Sequence, residues 1–279
     1  MKIIKKESKE YPASLLQIQN PPKQIYVEGD ISLLQKDSIA IVGTRKCTDY
    51  GKKYTQKFAK ELAKENICVV SGLASGIDTI AHAYSMAEIG KTIAVIGSGF
   101  DNIYPKENIY LYHQILENGG CIVSEYPPEE PVNKAYFPKR NRMISGLAMG
   151  VLVIEGRYRS GSMITARYAI NQNKPLFCIP NKINEPAGYI PNLLIQNGAY
   201  LVTNPQDILE FYGLLEQNNE KEIPKKYQDI YQTIGDIPIS INEISKLTGK
   251  QLSEISEALL NMELEGLIQN LPGNKYIRL

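Results

Sequence analysis

The 279-residue sequence is poor in the residues that build metal centres and disulfide frameworks. It has four cysteines, two histidines and no tryptophan. No two cysteines form a CxxC pair, and three of them lie within short apolar runs, where free cysteine behaves as a small buried hydrophobe. The two histidines, His82 and His113, fall within predicted helices, and we expect structural roles for both. We therefore predict a reduced, cytoplasmic protein without disulfides, a metal site or another cofactor.

Long apolar runs and a strong net charge are absent as well. No stretch approaches about 18 uninterrupted apolar residues, so we expect no membrane-spanning helix. The first twelve residues, MKIIKKESKEYP, hold no apolar run of signal-peptide length. The formal net charge is only +1, so any site for nucleic acid has to be a local concentration of charge.

Three common motifs of nucleotide-binding and hydrolytic enzymes are also missing. The first predicted strand is followed by GTRKCTDYG rather than G-x-G-x-x-G, which is the dinucleotide-binding pattern. The sequence contains neither a Walker-type phosphate loop nor a G-x-S-x-G nucleophile elbow. A standard dinucleotide enzyme, a Walker-type ATPase and an α/β-hydrolase are therefore disfavoured.

Short apolar runs alternate with helical patterns over most of the chain. The runs cover residues 39–42, 67–70, 92–96, 121–123, 151–154 and 176–179. Continuous apolar strands separated by helices are typical of a parallel sheet that is covered on both faces. We predict an α/β fold, an extended Rossmann-like, mostly parallel sheet of at least six strands. Residues 1–38 show no such pattern and are predicted to be irregular.

The pattern changes beyond residue 217. The polar stretch 213–224 is predicted to be a linker, and the domains are placed at 1–217 and 218–279. Three helical stripes follow, of which the second opens with a capping box at residues 240–243. A hairpin-like turn, Pro272-Gly273-Asn274, comes last. Three helices and a terminal hairpin predict a small winged helix.

The most distinctive stretch is KAYFPKRNRMISGLA, residues 134–148, which holds four cations and no acid. Pro138 suits the first position of a helix. A cation in the first helical turn is unfavourable unless an anion is bound there. We therefore predict a site for phosphates with a base stacked on an aromatic ring. The alternative is a solvated basic turn with its phenylalanine in the core. The candidate residues here are Lys134, Phe137, Arg140 and Arg142.

Four glycine-rich or basic loops follow predicted strands, at the edge where open α/β sheets bind ligands. They cover residues 43–51, 71–78, 97–108 and 157–162. Glycine lets the backbone approach a phosphate, and arginine adds a planar fork of donors. Tight βα turns need glycine for geometric reasons too, so one such loop alone indicates little. Four of them beside the basic stretch indicate a polyanion.

Of three carboxylates near these loops, Asp78 has a structural explanation, and Glu125 and Glu155 have two open interpretations. Asp78 lies near the start of a predicted helix, where an acid stabilises the free N–H groups. Glu125 and Glu155 each follow a strand, and they are either acid–base groups for sugar chemistry or partners that brace nearby arginines. We favour bracing. The alternative function is a hydrolase of nucleotides or phosphoribosides. Such a hydrolase would need a turn of small residues with the pattern P-G-G-x-G-T. At the corresponding position this chain has the arginine-rich segment 156–162.

Five segments, in order, resemble the signature segments of the DprA family, also called Smf or DNA-processing protein A. They read VGTRKCTDYG, SGLASGID, GSGFDNIYPKEN, FPKRNRMISGLA and VIEGRYRSGSMITA, and the resemblance runs from about Tyr11 to Leu209. It implies a non-enzymatic protein that binds and protects single-stranded DNA in natural transformation. It also implies a RecA recombinase partner and a homodimer. The DNA contacts implied are Gly43, Arg45, Gly97, Ser98, Gly99, Lys134, Phe137, Arg140, Arg142, Arg159, Gly161 and Ser162.

Two further expectations concern surfaces outside these loops. The apolar stretches 193–195 and 209–215 lie near the end of the first domain. Part of them is expected to pack internally, and the remainder predicts the two-fold contact of a homodimer. The third helix of the predicted winged helix carries four glutamates, so we expect that domain not to bind DNA. At 180–182 the chain reads Pro-Asn-Lys instead of the family's proline-glycine.

Overall fold

The computed structural model describes residues 1–214, 223–235 and 237–278. The chain divides into two compact units, Met1–Tyr212 and Gly213–Leu279. The predicted linker and the predicted boundary at 217/218 lie largely outside the described residues, so both stay predictions. No helix within the described ranges is long and apolar enough to cross a membrane.

The first unit is built from a sheet and the helices that cover it. Its strands are β1 (Lys2–Lys5), β2 (Gln24–Gly29), β3 (Ser38–Val42), β4 (Cys68–Ser71), β5 (Thr92–Ile96), β6 (Cys121–Ser124), β7 (Gly150–Val153), β8 (Leu176–Cys178) and β9 (Tyr200–Leu201). Its helices are α1 (Ala13–Leu16), α2 (Asp49–Lys64), α3 (Ile77–Ser85), α4 (Ile109–Glu117), α5 (Tyr136–Leu147), α6 (Ser162–Asn171), α7 (Tyr189–Gln196) and α8 (Pro205–Phe211).

The sheet order is β1-β2-β6-β5-β4-β3-β7-β8-β9. The strands from β3 to β9 pair in parallel. Every residue of β3, β5, β6 and β7 is buried, as expected for strands covered on both faces. These observations confirm the predicted extended Rossmann-like fold. The chain builds outward from β3 to β6 on one side and restarts at β7 on the other, so the topological switch point lies between β3 and β7.

The N-terminal segment is not irregular, and that prediction was wrong. β1 and β2 form an antiparallel hairpin, and β2 pairs antiparallel with β6, with Tyr26 opposite Ser124. Ile25 and Val27 are buried in the core. The pairing of β2 with β6 joins parts of the chain that are far apart in sequence, and the short strand directly follows Pro21-Pro22. Neither the apolar pattern nor the turn signals could therefore reveal it.

Helix α5 begins earlier than its sequence suggested. Its first residue is Tyr136, so Pro138 is its third residue rather than its first. The helix tolerates this because the N–H groups of a first turn have no intrahelical acceptor. Phe137 consequently lies inside the first turn and not ahead of it. The second half of the helix is buried, with Met143 and Ile144 in the core of the first unit.

The second unit is the predicted winged helix. Its elements are α9 (Gln228–Thr233), β10 (Ile239–Ser240), α10 (Ile241–Thr248), α11 (Leu252–Leu264), β11 (Ile268–Leu271) and β12 (Lys275–Arg278). The capping box joins Ser240 and Glu243 at the start of α10. Gly249 ends that helix in the left-handed conformation at φ +69°, where glycine has no steric penalty. A separate apolar core, with Ile230 and Leu259 within it, holds the unit together.

Candidate nucleic-acid interface

A cleft of about 650 Å³ opens at the switch point between β3 and β7. Its walls are the loop after β3, the first half of α5 and the loop that leads from β7 into α6. Open α/β sheets bind their ligands at this position. Seven of the predicted site residues line the cleft: Gly43, Arg45, Lys134, Phe137, Arg140, Gly161 and Ser162.

Cations outnumber acids around the cleft. Arg45, Lys134 and Arg157 line it and are exposed to solvent. Arg140 lines it from a buried position, and Asp78 is the one carboxylate among the described lining residues. Affinity for a phosphodiester backbone rests on such lysine and arginine contacts. The local charge therefore fits a polyanion, although the whole chain is nearly neutral. Sequence reasoning missed Arg157 as a site residue, although it opens the fourth loop.

Arg140 holds the cleft floor together. Its Nη1 donates to the carbonyl oxygens of Gly72, at 2.7 Å, and of Val95. Its Nε donates to Asn141 Oδ1 at 3.2 Å. Burial lowers the pKa of Arg140 to about 10, and Asp78 opposes that shift, so the side chain stays charged at neutral pH. Because the guanidinium ties α5 to the ends of β4 and β5, fewer of its donors remain for a phosphate than an exposed arginine would offer.

Asp78 is a buried acid at the start of α3. Its Oδ2 accepts the N–H of Gly72 at 3.1 Å and the N–H of Ala74 at 3.4 Å. Burial raises the pKa of Asp78 to about 6, even though Arg140 and these N–H groups favour the charged form. The carboxyl group therefore titrates near neutrality, and the net charge of the cleft depends on pH.

Two aromatic rings meet at one wall of the cleft. The rings of Phe137 and Tyr104 have centroids 5.4 Å apart and are tilted by 39°. A Cβ atom at Gly97 would lie 2.9 Å from Phe137 Cδ1, so glycine is needed there to admit the ring. The Arg45 guanidinium lies 6.0 Å from the Phe137 centroid. Phe137 is half-buried and Tyr104 is exposed, which leaves aromatic surface for a base.

Sequence reasoning missed Tyr104. Its signal was an aromatic residue in the third glycine-rich loop, which was considered for its glycines alone. The ring also lines the cleft. An exposed aromatic side chain beside cations is typical of single-strand binding surfaces.

The start of α6 closes the cleft on the β7 side. Gly161 and Ser162 line it together with Ser160 and Thr165. The Ser160 Oγ accepts the Ser162 N–H at 3.4 Å, and the two hydroxyl oxygens are 3.0 Å apart. The N–H groups of a helical first turn favour negative charge. This helix start therefore complements the cations of the opposite wall.

Comparison with known proteins identifies the family. The model of DNA recombination-mediator protein A matches residues 2–213, and the model of the DprA winged helix domain matches residues 216–274. The chain belongs to the DprA family. Members of this family are DNA-processing proteins that act in recombination, and the resemblance noted in the sequence is confirmed.

Individual relatives agree with this assignment. Protein Smf of Escherichia coli K12 is 36% identical over 289 residues, covering 99% of this chain and 77% of the relative. DprA of Bacillus subtilis 168 is 44% identical over 204 residues, covering 73% and 68%. The solved DprA of Streptococcus pneumoniae has a TM-score of 0.71 at 40% identity, with 75% of this chain and 73% of that one covered.

A second solved structure concerns DNA directly. DprA of Helicobacter pylori has a TM-score of 0.67 at 34% identity, with 76% of this chain and 96% of that one covered. It was described for its single-stranded DNA binding mode.

Five predicted contacts do not line the cleft of this DprA-family chain. Ser98 is 1% exposed, and its carbonyl oxygen accepts the Ser124 hydroxyl at 2.7 Å. A Cβ atom at Gly99 would lie 2.1 Å from the Pro128 carbonyl oxygen, so the loop lies beneath residues 127–130. Gly97 contributes by admitting the Phe137 ring. The other two, Arg142 and Arg159, do not belong to the cleft lining.

Arg142 is a partner of Glu125 rather than a lining residue. Its Nη2 donates to both carboxylate oxygens, at 2.6 and 2.7 Å. Its side chain is 8% exposed and that of Glu125 is 17% exposed. Breaking a buried ion pair leaves an uncompensated charge, so Arg142 has a structural role as the partner of Glu125. The expectation that Glu125 braces an arginine is confirmed. Arg159 is exposed beside Tyr158, with its guanidinium 5.3 Å from that ring centroid.

Glu155 does not brace an arginine, and that expectation was wrong. It is fully buried. Its Oε2 accepts the N–H of Thr48 at 2.9 Å and its Oε1 accepts the hydroxyl of the same residue. Thr48 is the N-cap of α2, so Glu155 fixes the start of that helix. A sequence pattern could not show this contact because it joins the start of α2 to the residue just beyond β7, which are more than 100 residues apart and which only the fold brings together.

His82 has the structural role that the sequence predicted. It is fully buried, and its Nδ1 lies 2.7 Å from the Thr92 hydroxyl oxygen. Its Nε2 accepts the N–H of Leu73 at 3.3 Å. Burial lowers the pKa of His82 to about 3, so the ring is neutral and belongs to the framework.

Proposed function

We propose that this DprA-family protein binds single-stranded DNA in the cleft at the switch point, with little sequence preference and without catalysing a reaction on it. The observation that supports this most directly is that exposed cations and aromatic rings line the same cleft. Exposed cations meet phosphates, and the Phe137–Tyr104 ring pair meets bases. Phosphate contacts and stacking carry little sequence information, so binding is expected to tolerate any sequence.

Several features favour a single strand over a duplex. Bases in a duplex are stacked on one another, and their faces are not available to side chains. The half-buried ring of Phe137 lies within the cleft wall, where only an unpaired base can reach its face. The DNA binding described for the Helicobacter pylori relative supports the same choice.

The test is a binding titration of the full chain with single-stranded and double-stranded oligonucleotides of equal length over a range of salt concentrations. We expect tighter binding of the single strand. The slope of log affinity against log salt concentration should be about −0.7 for each phosphate contact. Equal or tighter binding of the duplex would contradict the proposal.

The alternative, a hydrolase of nucleotides or phosphoribosides, has little support. Glu125 is held by Arg142, and Glu155 is fully buried against Thr48. Neither carboxylate lines the cleft within the described residues. Asp78 does line it, but its Oδ2 already accepts two backbone N–H groups. Release of free base from a nucleoside monophosphate, abolished by Asp78→Asn, would establish the hydrolase instead.

We further infer that the bound strand is passed to a RecA recombinase, as the family resemblance implies. The family description as a recombination mediator supports this inference. It is tested by following RecA filament assembly on DNA that is coated with a single-strand-binding protein. Addition of this chain should shorten the lag phase of filament assembly. An unchanged lag phase would exclude a role in loading RecA.

A homodimer through the β9 edge is also proposed. Of the predicted apolar stretches, Leu194 and Leu209 are buried in the core, while Leu215 lies outside the described residues. The exposed part is a cluster at the sheet edge, where Tyr200 is 51% exposed, Leu201 is 52% exposed and Phe211 is 41% exposed. An open edge strand with apolar side chains is a ready surface for a second copy. Light scattering should show a dimer that Leu201→Lys converts to a monomer.

A further inference from the structure

Two tyrosines form an exposed aromatic pair just beyond the cleft. Tyr158 follows β7, and Tyr189 is the first residue of α7. Their ring centroids are 5.4 Å apart and the rings are nearly perpendicular, at 87°. Tyr158 is 66% exposed and Tyr189 is 44% exposed. Core packing therefore accounts for little of their surface.

The backbone around this pair is locked in place. The Gly156 N–H donates to the Ala187 carbonyl oxygen at 2.7 Å, and the Ile190 N–H donates to the Gly156 carbonyl oxygen at 2.8 Å. A Cβ atom at Gly156 would lie 2.8 Å from the Ile190 Cβ, so only glycine allows the two loops to approach this closely. A surface held in its binding geometry loses little conformational entropy when a ligand arrives.

Positive charge lies beside the Tyr158 ring. The Arg159 guanidinium lies 5.3 Å from the Tyr158 centroid. Arg159 has φ +61°, a conformation that side-chain-bearing residues rarely adopt and that is frequent at functional sites. Arg157 and Lys182 are exposed on the two loops. Their nearby acid, Glu185, is partly buried, and its Oε1 accepts the N–H of Ala187 at 3.1 Å.

The tyrosine pair is continuous with the cleft. Arg157 and Ser160 line the cleft, and they flank Tyr158 and Arg159 in the chain. Successive Cα atoms are about 3.8 Å apart, so the outer ring surface begins one residue from the cleft wall. A strand that leaves the cleft past Arg157 therefore reaches Tyr158 next.

We propose that Tyr158 and Tyr189 form a second base-stacking platform for the DNA strand that occupies the cleft. The platform receives a base beyond the Phe137–Tyr104 rings, and Arg159 and Arg157 neutralise the phosphates beside it. This proposal rests on the proposed function, because it describes a continuation of the same strand. Its ligand is a single-stranded polynucleotide that is longer than the cleft alone accommodates.

Length dependence tests the platform. The full chain is titrated with an oligothymidylate of about two nucleotides, which a cleft of about 650 Å³ can hold, and with another of about fifteen, which is near the upper end of typical single-strand site sizes. The variants are Tyr158→Ala/Tyr189→Ala and Tyr158→Phe/Tyr189→Phe. Stacking of one base contributes enough that the alanine variant should bind the longer oligonucleotide about fivefold or more weakly. The shorter one should bind as it does to the parent chain, and the phenylalanine variant should bind both normally.

A base analogue locates the contact. Fluorescent 2-aminopurine, placed stepwise along the longer oligonucleotide, should be quenched at a position outside the cleft, and the alanine variant should lose that quenching alone. Tyr110→Ala, which removes a 73% exposed tyrosine on α4, is the matched control and should change neither oligonucleotide's affinity.

Three outcomes overturn the proposal in distinguishable ways. Parent-like binding of the longer oligonucleotide by the alanine variant removes the platform and leaves the cleft intact. Equal losses at both lengths mean that the tyrosines shape the cleft itself. Failure of the parent chain to bind either oligonucleotide removes the proposed function together with the platform.

Discussion

The cleft of the first unit and the third helix of the winged unit carry opposite charge. The cleft is lined by Arg45, Lys134, Arg140 and Arg157 around one buried acid. Among the described residues, the cation that precedes α11 is Lys250, whose Nζ lies 3.0 Å from Glu254 and 3.9 Å from Asp229. Along and just beyond that helix the exposed acids are Glu254, Glu257, Glu263 and Glu265.

From this difference we infer that the fold class of a domain does not decide whether it binds DNA. A winged helix usually presents its third helix to the major groove, but an acidic helix face is repelled by phosphates. A Rossmann-like sheet usually takes a dinucleotide at its switch point, but this one has cations and aromatic rings there and lacks the glycine fingerprint. For both units our expectation therefore rests on the side chains of the surface and not on the fold class.

The largest expected effect comes from removing cleft charge. Arg45→Ala/Lys134→Ala should weaken single-strand binding by about tenfold or more at low salt. The slope of log affinity against log salt concentration is negative, and it should become shallower by about 1.4, because two contacts are lost at about 0.7 each. Titrations across salt concentrations measure both quantities. Lys53→Ala/Lys60→Ala, which removes two exposed lysines from α2, controls for the change in net charge. Similar losses in both variants would mean that the cleft is not the site.

The next effect concerns the ring of Phe137. Phe137→Ala should cost about 1–3 kcal/mol of binding free energy if a base stacks on it, and the salt slope should stay unchanged because no charge is lost. Phe137→Leu keeps apolar volume over Gly97 while removing the aromatic face. It should lose affinity with little change in the free energy of unfolding. If the leucine variant binds like the parent, the ring serves packing alone.

A smaller effect is expected from pH, through Asp78. Burial raises its pKa from 3.8 to about 6, so protonation is easier in the folded protein. Its contribution to folding stability is fully present below pH 3.8 and is lost as the pH rises through about 6. Protonation also removes the negative charge beside Arg140. Single-strand affinity should therefore increase several-fold as the pH falls through 6, and Asp78→Asn should remove that dependence. A parallel pH profile in the variant would contradict this assignment.

The local part of this comparison could be predicted from the sequence. Apolar runs predicted the parallel strands, and a capping box and a glycine predicted α10. Loop composition indicated the edge of the sheet at which the cleft lies. Sequence could not separate Arg140 from Arg142. Both follow Pro138 on one helix, and only the position of Glu125 in space commits Arg142 to an ion pair.

For the same reason, the sequence could not predict the roles of residues that contact distant segments of the chain. Ser98 accepts the Ser124 hydroxyl and Gly99 lies beneath residues 127–130, and no spacing rule contains these contacts. The pairing of β2 with β6 and the contact of Glu155 with Thr48 are equally non-local. Tyr104 differs, because an aromatic residue in a strand-end loop is visible in the sequence.

The smallest expected effect comes from removing the winged unit. A chain that ends near residue 217 should keep most of its single-strand affinity, because the described cleft residues all belong to Met1–Tyr212. The winged unit has its own core, so residues 224–279 can be tested alone. They should not shift duplex DNA at physiological salt. Glu254→Lys/Glu257→Lys should introduce weak, salt-sensitive duplex binding if charge is what prevents it. Micromolar duplex binding by the unmodified unit would show instead that Lys275 and Arg278 of the wing outweigh the acidic helix.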